Sequence, residues 1–263
     1  QRARLLLFSD QIRVGLAGGL RDYQFVGADG STVTGADVPY GGEQQPSGYT
    51  LDPQEQIVYV SKHDNETIWD ITAYKQIPDA TVSDLVRMNN LALNIVMLSQ
   101  GVPFFHAGDD LLRSKSMDRD SYNSGDWFNR LDFTYQTNNF GVGLPIQDKN
   151  GDRWEELRPI LANSAIVPTP ADIESARMNF LEMLQIRQGS VLFRLRTAQD
   201  VQDRLTFQNV GPDQIPGLIV MTLSDAGGNL ADLDPNYARI VVLFNANSDT
   251  ITFTDSELAG QEL

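Results

Sequence analysis

Ile57-Val58-Tyr59-Val60-Ser61-Lys62-His63-Asp64-Asn65 and, further along, Gly101-Val102-Pro103-Phe104-Phe105 are the segments from which the fold is read. The run 57–60 is short, apolar and β-branched, the mark of a buried strand. Between the two segments, residues 84–100 carry Leu85, Val86, Met88, Leu91, Leu93, Ile95, Val96 and Leu98. These positions cover most of a helical surface, so the helix is expected to pack on two sides. Gly101 is expected to cap it, and 102–105 to form the next strand. Strand, helix, strand in that order is a βα repeat, which implies parallel strands with helices outside them.

Toward the amino terminus, Phe8-Ser9-Asp10-Gln11-Ile12-Arg13 predicts the start of a short helix, with Ser9 or Asp10 as N-cap and Gly18-Gly19 as the stop. Residues 27–50 are rich in Gly, Pro, Ser and Thr and read as a long loop. Toward the carboxy terminus, 107–150 is polar, with Asp109, Asp110, Arg113, Lys115, Asp118, Arg119, Asp120, Asp126 and Arg130 interleaved with Tyr122, Trp127, Phe128 and Phe133. Long ordered loops of this kind are usually functional. A second helix is expected over 171–188, with Met178, Leu181, Met183, Leu184 and Ile186 as its apolar face. Beyond Gly189 the apolar runs 218–223 and 240–244 alternate with Gly, Pro, Asn and Asp turns, an antiparallel β pattern. The chain is therefore expected to be α/β over 1–188 and all-β over 189–263.

Its 263 residues, 41% of them hydrophobic, are enough for a sizeable core in one large domain or two small ones. A net charge of −15 argues against unassisted binding to nucleic acid, whose phosphates need a Lys/Arg surface. The absence of cysteine excludes disulfides and thiolate chemistry. No apolar run is long enough for a membrane span. Gln1-Arg2-Ala3-Arg4-Leu5-Leu6-Leu7-Phe8 is too short for a signal peptide and has no initiator Met. It reads as the inside of a longer chain.

His63-Asp64-Asn65 follows the strand at 57–60, where parallel βα architectures gather their sites. An imidazole beside a carboxylate suits a pair of sugar hydroxyls or a developing oxocarbenium charge. Taken alone, such a triplet serves more often as a loop cap or turn. A metal site is the weaker reading. His63 and His106 are the only histidines, and no third ligand stands at helical spacing from either. Asp109, Asp110, Asp118 and Asp120 leave calcium open as a cofactor, but they lack the 12-residue calcium-loop pattern and read first as solvated acids. No glycine loop ends in the Lys-Ser/Thr of a phosphate cradle, and neither Ser9 nor Ser61 stands in a nucleophile elbow. The loop 120–130 mixes aromatics, acids, amides and an arginine. It suits sugar stacking and hydroxyl recognition as well as it suits an aromatic anchor on its own scaffold.

Taken together, these segments resemble the α-amylase superfamily, and within it the pullulanase and limit-dextrinase type of α-1,6-glucosidase. Tyr59 to Asp70 is similar to the family's fourth signature region, at the end of the seventh barrel strand. Gly101 to Ser116 resembles the eighth strand and its loop, and Ser121 to Asp132 the debranching-type loop after it. Phe8 to Arg13 and Gly211 to Met221 resemble flanking segments. The resemblance implies the carboxy-terminal part of a (β/α)8 TIM barrel, about strands 6–8, followed by an antiparallel β-sandwich domain. It implies that Asp64 is the third catalytic carboxylate, holding sugar hydroxyls at the cleavage subsite, and that His63 bonds the same sugar. It makes Asn65, Asp126, Arg130 and Trp127 substrate-binding, with Asp126 and Arg130 at the neighbouring glucose subsite and Trp127 either at the sugar or only bracing that loop. The implied substrates are α-glucans: pullulan, amylopectin or limit dextrin. The implied location is extracellular or cell-surface in a bacterium, and plastidial in a plant.

The family's retaining mechanism also needs an Asp nucleophile and a Glu acid/base roughly 5 Å apart. Neither segment is found here, so the missing amino-terminal part of the same enzyme is the implied partner, and the chain alone is expected to be inactive. The alternatives are a non-catalytic carbohydrate-binding or structural fragment, or another debranching activity of the superfamily.

Overall fold

The computed structural model describes residues 1–42, 44–75, 79–226, 230–256 and 258–259. The chain divides into two compact units: Gln1–Val58 with Leu98–Val102 and Arg187–Leu263, and Tyr59–Met97 with Pro103–Ile186.

In the first unit, helix α1 (Arg2–Leu16) begins well before the expected caps. Ser9 and Asp10 lie inside it: the Ser9 hydroxyl donates to the Leu5 carbonyl at 3.1 Å, and Asp10 pairs with Arg13 at 2.7 Å. The Arg, Ala and Leu of the first turns are strong helix formers and extend the helix backwards. Gly18 and Gly19 stop it in left-handed conformations, φ +81° and +67°, as the sequence suggests. Residues 27–50 are not one long loop. Strands β1 (Gln24–Val26) and β2 (Thr32–Thr34) form an antiparallel hairpin, as do β3 (Pro39–Tyr40) and β4 (Gln45–Pro46). The β-branched run Thr32-Val33-Thr34 supplies strand propensity that the surrounding turn residues masked. Gly35 is required here by close approach, since a Cβ would stand 2.1 Å from the Leu20 carbonyl oxygen. Strand β5 is only Ile57–Val58. Contrary to expectation it is not buried, with Ile57 51% exposed. An apolar run shows what a segment tolerates, and burial depends on which layers cover it.

The second unit is built on helices α2 (Ile68–Lys75) and α3 (Val82–Met97). Helix α3 ends before Gln100, so Gly101 is not its cap. Residues 98–102 serve the first unit instead, where the Gln100 side chain donates to the Leu192 carbonyl at 2.8 Å and accepts from the Leu195 N–H at 3.0 Å. The next strand, β6 (Val102–Pro103), is shorter than 102–105 and pairs with β5. Then follow α4 (Asp126–Asn129), α5 (Gln147–Asn150), α6 (Trp154–Leu161) and α7 (Pro170–Gly189), the last being the helix expected over 171–188. Trp69 and Ala73 of α2, Leu85 and Val86 of α3, Leu157 of α6 and Ile173 and Ala176 of α7 form one buried cluster with Leu111, Leu112, Met117, Phe140 and Ile166. Two helices start on the same device. The Thr81 N–H and hydroxyl donate to Asp84 at 2.9 and 2.7 Å, and those of Thr169 to Asp172 at 2.8 and 2.6 Å.

The chain returns to the first unit with α8 (Ala198–Arg204) and an antiparallel sheet ordered β7 (Leu205–Gln208), β8 (Leu218–Ser224), β9 (Arg239–Asn245). β8 is central and buried from Leu218 through Leu223, which accounts for its continuous apolar sequence. Phe207 of β7 meets Tyr23 and Phe25 edge-on, with ring centroids 6.2 and 6.3 Å apart. Buried Arg13 reaches the Asn209 carbonyl and the Gln214 Oε1, both at 2.8 Å, and so fixes α1 to the segment before β8.

Candidate functional site

Lys62, His63, Asp64 and Asn65 form the turn that leads from the strand region toward α2. Asn65 takes the left-handed conformation, φ +62°, which Asn tolerates through its short polar side chain. Its N–H donates to the Arg119 carbonyl at 2.8 Å. The His63 carbonyl on the other side of Asp64 accepts from the Lys115 Nζ at 2.8 Å. The turn is thus held by its backbone, and its side chains face outward. His63 is 81% and Asp64 58% exposed. Lys62 donates to Asp64 Oδ2 at 2.6 Å, and the His63 Nε2 lies 3.5 Å from Oδ1. The hydrogen bond from Lys62, then its charge, holds the Asp64 carboxyl below the usual carboxylate range. Asp64 is therefore a carboxylate at neutral pH.

His63 and Asp64 line a cleft of about 490 Å³ together with His106, Arg113, Asp120, Ser121, Tyr122 and Asn129. His106 and Arg113 are adjacent: Arg113 donates from Nη1 to the His106 Nε2 at 2.9 Å and to the Ala107 carbonyl at 2.8 Å. That bond leaves the imidazole neutral, its proton on Nδ1. Burial, and then the charges of Arg113 and Lys115, push its pKa down to about 4. The His106 N–H donates to Asp109 at 2.9 Å. Asp109 is buried, and burial raises its pKa to about 6. The rim on the other side belongs to the loop of 120–130. Its Asn129 side chain donates to the Ser121 carbonyl at 2.8 Å and accepts from the Ser121 hydroxyl at 3.1 Å. That reciprocal pair folds the loop back on itself. Tyr122 extends from it 86% exposed.

The structure thus brings His63 and Asp64 to one cleft. Asn65, Asp126, Trp127 and Arg130 are not among its lining residues. Asn65 shapes the turn, Asp126 stands exposed in the first turn of α4, Trp127 is 68% exposed, and Arg130 is exposed just past α4. Arg113, Asn129, Ser121 and Tyr122 are lining residues that the sequence did not single out as site residues. Their signal was position: all lie in the polar stretch that follows the strand at β6. Among the described residues no three His, Asp or Glu side chains converge as a metal site. Asp109 accepts from the His106 N–H and Asp118 Oδ1 from the Asn150 side chain.

Residues 135–263 match the family model described as alpha-1,6-glucosidases, pullulanase-type, C-terminal. Over 266 aligned residues the chain is 44% identical to the chloroplastic pullulanase 1 of Arabidopsis thaliana, covering 100% of this chain and 28% of that protein. It is 40% identical to the pullulanase of Klebsiella pneumoniae, covering 97% of this chain and 23% of that one. A maltotriose complex of PulA from Klebsiella pneumoniae superposes with a TM-score of 0.89 at 38% identity, covering 92% of this chain and 26% of that chain. The chain thus spans about a quarter of the length of the curated relatives it matches.

Proposed function

The chain belongs to the pullulanase-type α-1,6-glucosidases, and from that premise we propose that it carries the carboxy-terminal portion of a starch-debranching glycoside hydrolase. The substrate is an α-glucan with α-1,6 branch links: pullulan, amylopectin or a limit dextrin. The observation that carries this reading is the exposed Asp64 carboxylate, kept ionised by Lys62 and set beside His63 on the wall of a cleft. It is engaged by a flexible ammonium rather than by backbone N–H groups, so glucose hydroxyls can exchange for that bond. One relative is solved as a maltotriose complex, which supports a sugar ligand for the enzyme.

In this mechanism Asp64 accepts hydrogen bonds from the hydroxyls of the glucose at the cleavage point and favours the distorted ring. His63 donates to the same sugar, in a bond that strengthens as positive charge develops. Neither breaks the glycosidic bond. The Asp nucleophile and Glu acid/base of a retaining double displacement come from the amino-terminal part of the enzyme, which joins this segment to complete a (β/α)8 barrel. The present chain supplies about strands 6–8, with the sheet β7–β9 belonging to a β-sandwich domain. Outside the cleft lining itself, Asn65 of the turn and Asp126, Trp127 and Arg130 of the loop 120–130 serve the substrate where it extends, Asp126 and Arg130 at the neighbouring glucose. The enzyme works outside the cell or at its surface in a bacterium, and in the plastid in a plant. One relative is chloroplastic and others bacterial, and among the described residues no helix is long and apolar enough to cross a membrane.

The test is Asp64→Asn in the full-length enzyme with pullulan as substrate. Turnover should fall by about 100-fold or more, as expected for loss of an interaction made in the transition state. Turnover within about tenfold of wild type would remove Asp64 from the site.

A further inference from the structure

We propose that Lys115 is a positioning residue, which fixes His63 and Asp64 at the cleft wall by hydrogen-bonding the His63 carbonyl. The proposal rests on the assignment of Asp64 above. Lys115 is fully buried. An ammonium in that setting is unfavourable unless its charge is matched and its donors are used. The match comes from Asp70 and Asp118, whose charges both favour the protonated lysine. The donor is used on the His63 carbonyl at 2.8 Å, across 52 residues of sequence.

The backbone around Lys115 is bent to make this reach. Ser116 and Met117 are consecutive non-glycine residues in the left-handed region, φ +51° and +61°, and both are fully buried. Such conformations persist only where their surroundings over-determine them. Here Asp70 of α2 does so. Its carboxylate accepts from the Ser114 hydroxyl at 2.5 Å, the Lys115 N–H at 2.8 Å and the Met117 N–H at 3.2 Å. The bend is thereby gripped at its base by a helix, and Lys115 runs from it to the cleft turn. From the far side the Arg119 carbonyl accepts the Asn65 N–H at 2.8 Å. Asp64 therefore sits between two hydrogen bonds, both supplied by residues 115–119. Its side chain is left exposed while its backbone is held from both neighbours.

A lysine that merely neutralised Asp70 and Asp118 would affect stability and leave the function of Asp64 alone. The two roles separate in a double-mutant cycle on the full-length enzyme, with pullulan as substrate. Lys115→Met is expected to lower kcat by about 10- to 100-fold, the scale of a small displacement of a substrate-positioning group, with KM changed by less than about threefold. In an Asp64→Asn background the same change should cost a clearly smaller factor, because one of the two groups it positions is already gone. The proposal is overturned if Lys115→Met stays within about twofold of wild type, or if its fold-loss is equal in both backgrounds. Should Lys115→Met not fold, Lys115→Arg keeps the charge facing Asp70 and Asp118 but puts a wide planar guanidinium where the compact ammonium donates to the His63 carbonyl, and the same non-additivity is expected. Full activity of Lys115→Arg, or additivity with Asp64→Asn, overturns the proposal. Asp64→Asn alone remaining active refutes the assignment of Asp64 and the proposal with it, whereas an inactive Asp64→Asn with additive losses refutes only the role of Lys115.

Discussion

At the scale of single residues, the site contrasts an exposed carboxylate with buried titratable groups behind it. Asp64 is held low by Lys62, whereas burial holds Asp109 high and His106 low. The last two give opposite pH slopes. His106, ordinarily 6.5 and about 4 when folded, binds fewer protons in the native state across that window. Its contribution to stability is therefore lost as pH falls from 6.5 toward 4. Asp109, ordinarily 3.8 and about 6 when folded, keeps in the native state a proton that the unfolded chain releases, so its contribution declines as pH rises through that interval. Replacing His106 by Gln removes the first slope and leaves the second. The urea midpoint of His106→Gln relative to wild type should therefore shift in favour of the variant between about pH 7 and about pH 4.5. A difference that stays constant over that range would show that His106 does not titrate as its surroundings dictate. The triplet His63-Asp64-Asn65 was visible in the sequence, yet its chemistry alone did not separate a turn from a site. Asn65 makes the turn through its left-handed backbone, and the turn presents His63 and Asp64 to a cleft.

At the scale of elements, the helix starts repeat one motif, Thr-x-x-Asp. Thr81 with Asp84, Thr169 with Asp172 and Thr197 with Asp200 begin α3, α7 and α8. In each the threonine hydroxyl bonds the aspartate, and the aspartate N–H returns to the threonine oxygen at 3.1 to 3.3 Å. Thr81→Ala and Thr169→Ala should each lower stability by about 1 kcal/mol, the usual worth of such a cap, and the two losses should add. Urea denaturation of the single and double variants checks this. A double variant as stable as wild type would show that tertiary packing alone sets these helix starts. The motif is legible in the sequence; apolar periodicity locates α3 and α7 but sets α3 at 84–100 rather than Val82–Met97. Periodicity reports which face is buried, and caps report where the helix begins. The hairpins β1–β2 and β3–β4 were missed because Gly and Pro mark the turns of short strands as readily as they mark irregular loops.

At the scale of the whole molecule, the two units are discontinuous in sequence, exchanging the chain at 58/59, 97/98, 102/103 and 186/187. The apolar residues Ile57, Tyr59, Val60, Val102 and Phe104 are 44–51% exposed, although their sequence reads as core. Under the proposal that these segments are barrel strands, adjoining strands of the amino-terminal part would cover them. The purified chain by itself should accordingly release no maltotriose from pullulan, while the full-length enzyme does. Release by the isolated chain, free of contaminating hydrolase, would place a complete site within these 263 residues.

By itself the sequence determined helices α3 and α7, the continuous apolar run of β8, the net negative charge and the family, because each rests on local composition, spacing or a contiguous motif. The tertiary structure decided which residues share the cleft with Asp64. Arg113, His106 and Asn129 reach it from the loops after β6, and Lys115 grips the His63 carbonyl from 52 residues away. Such contacts join a side chain to a distant backbone atom, and no local pattern encodes where that atom will lie. The turn at Asp64 is written in the sequence, and its grip is set by packing around Asp70.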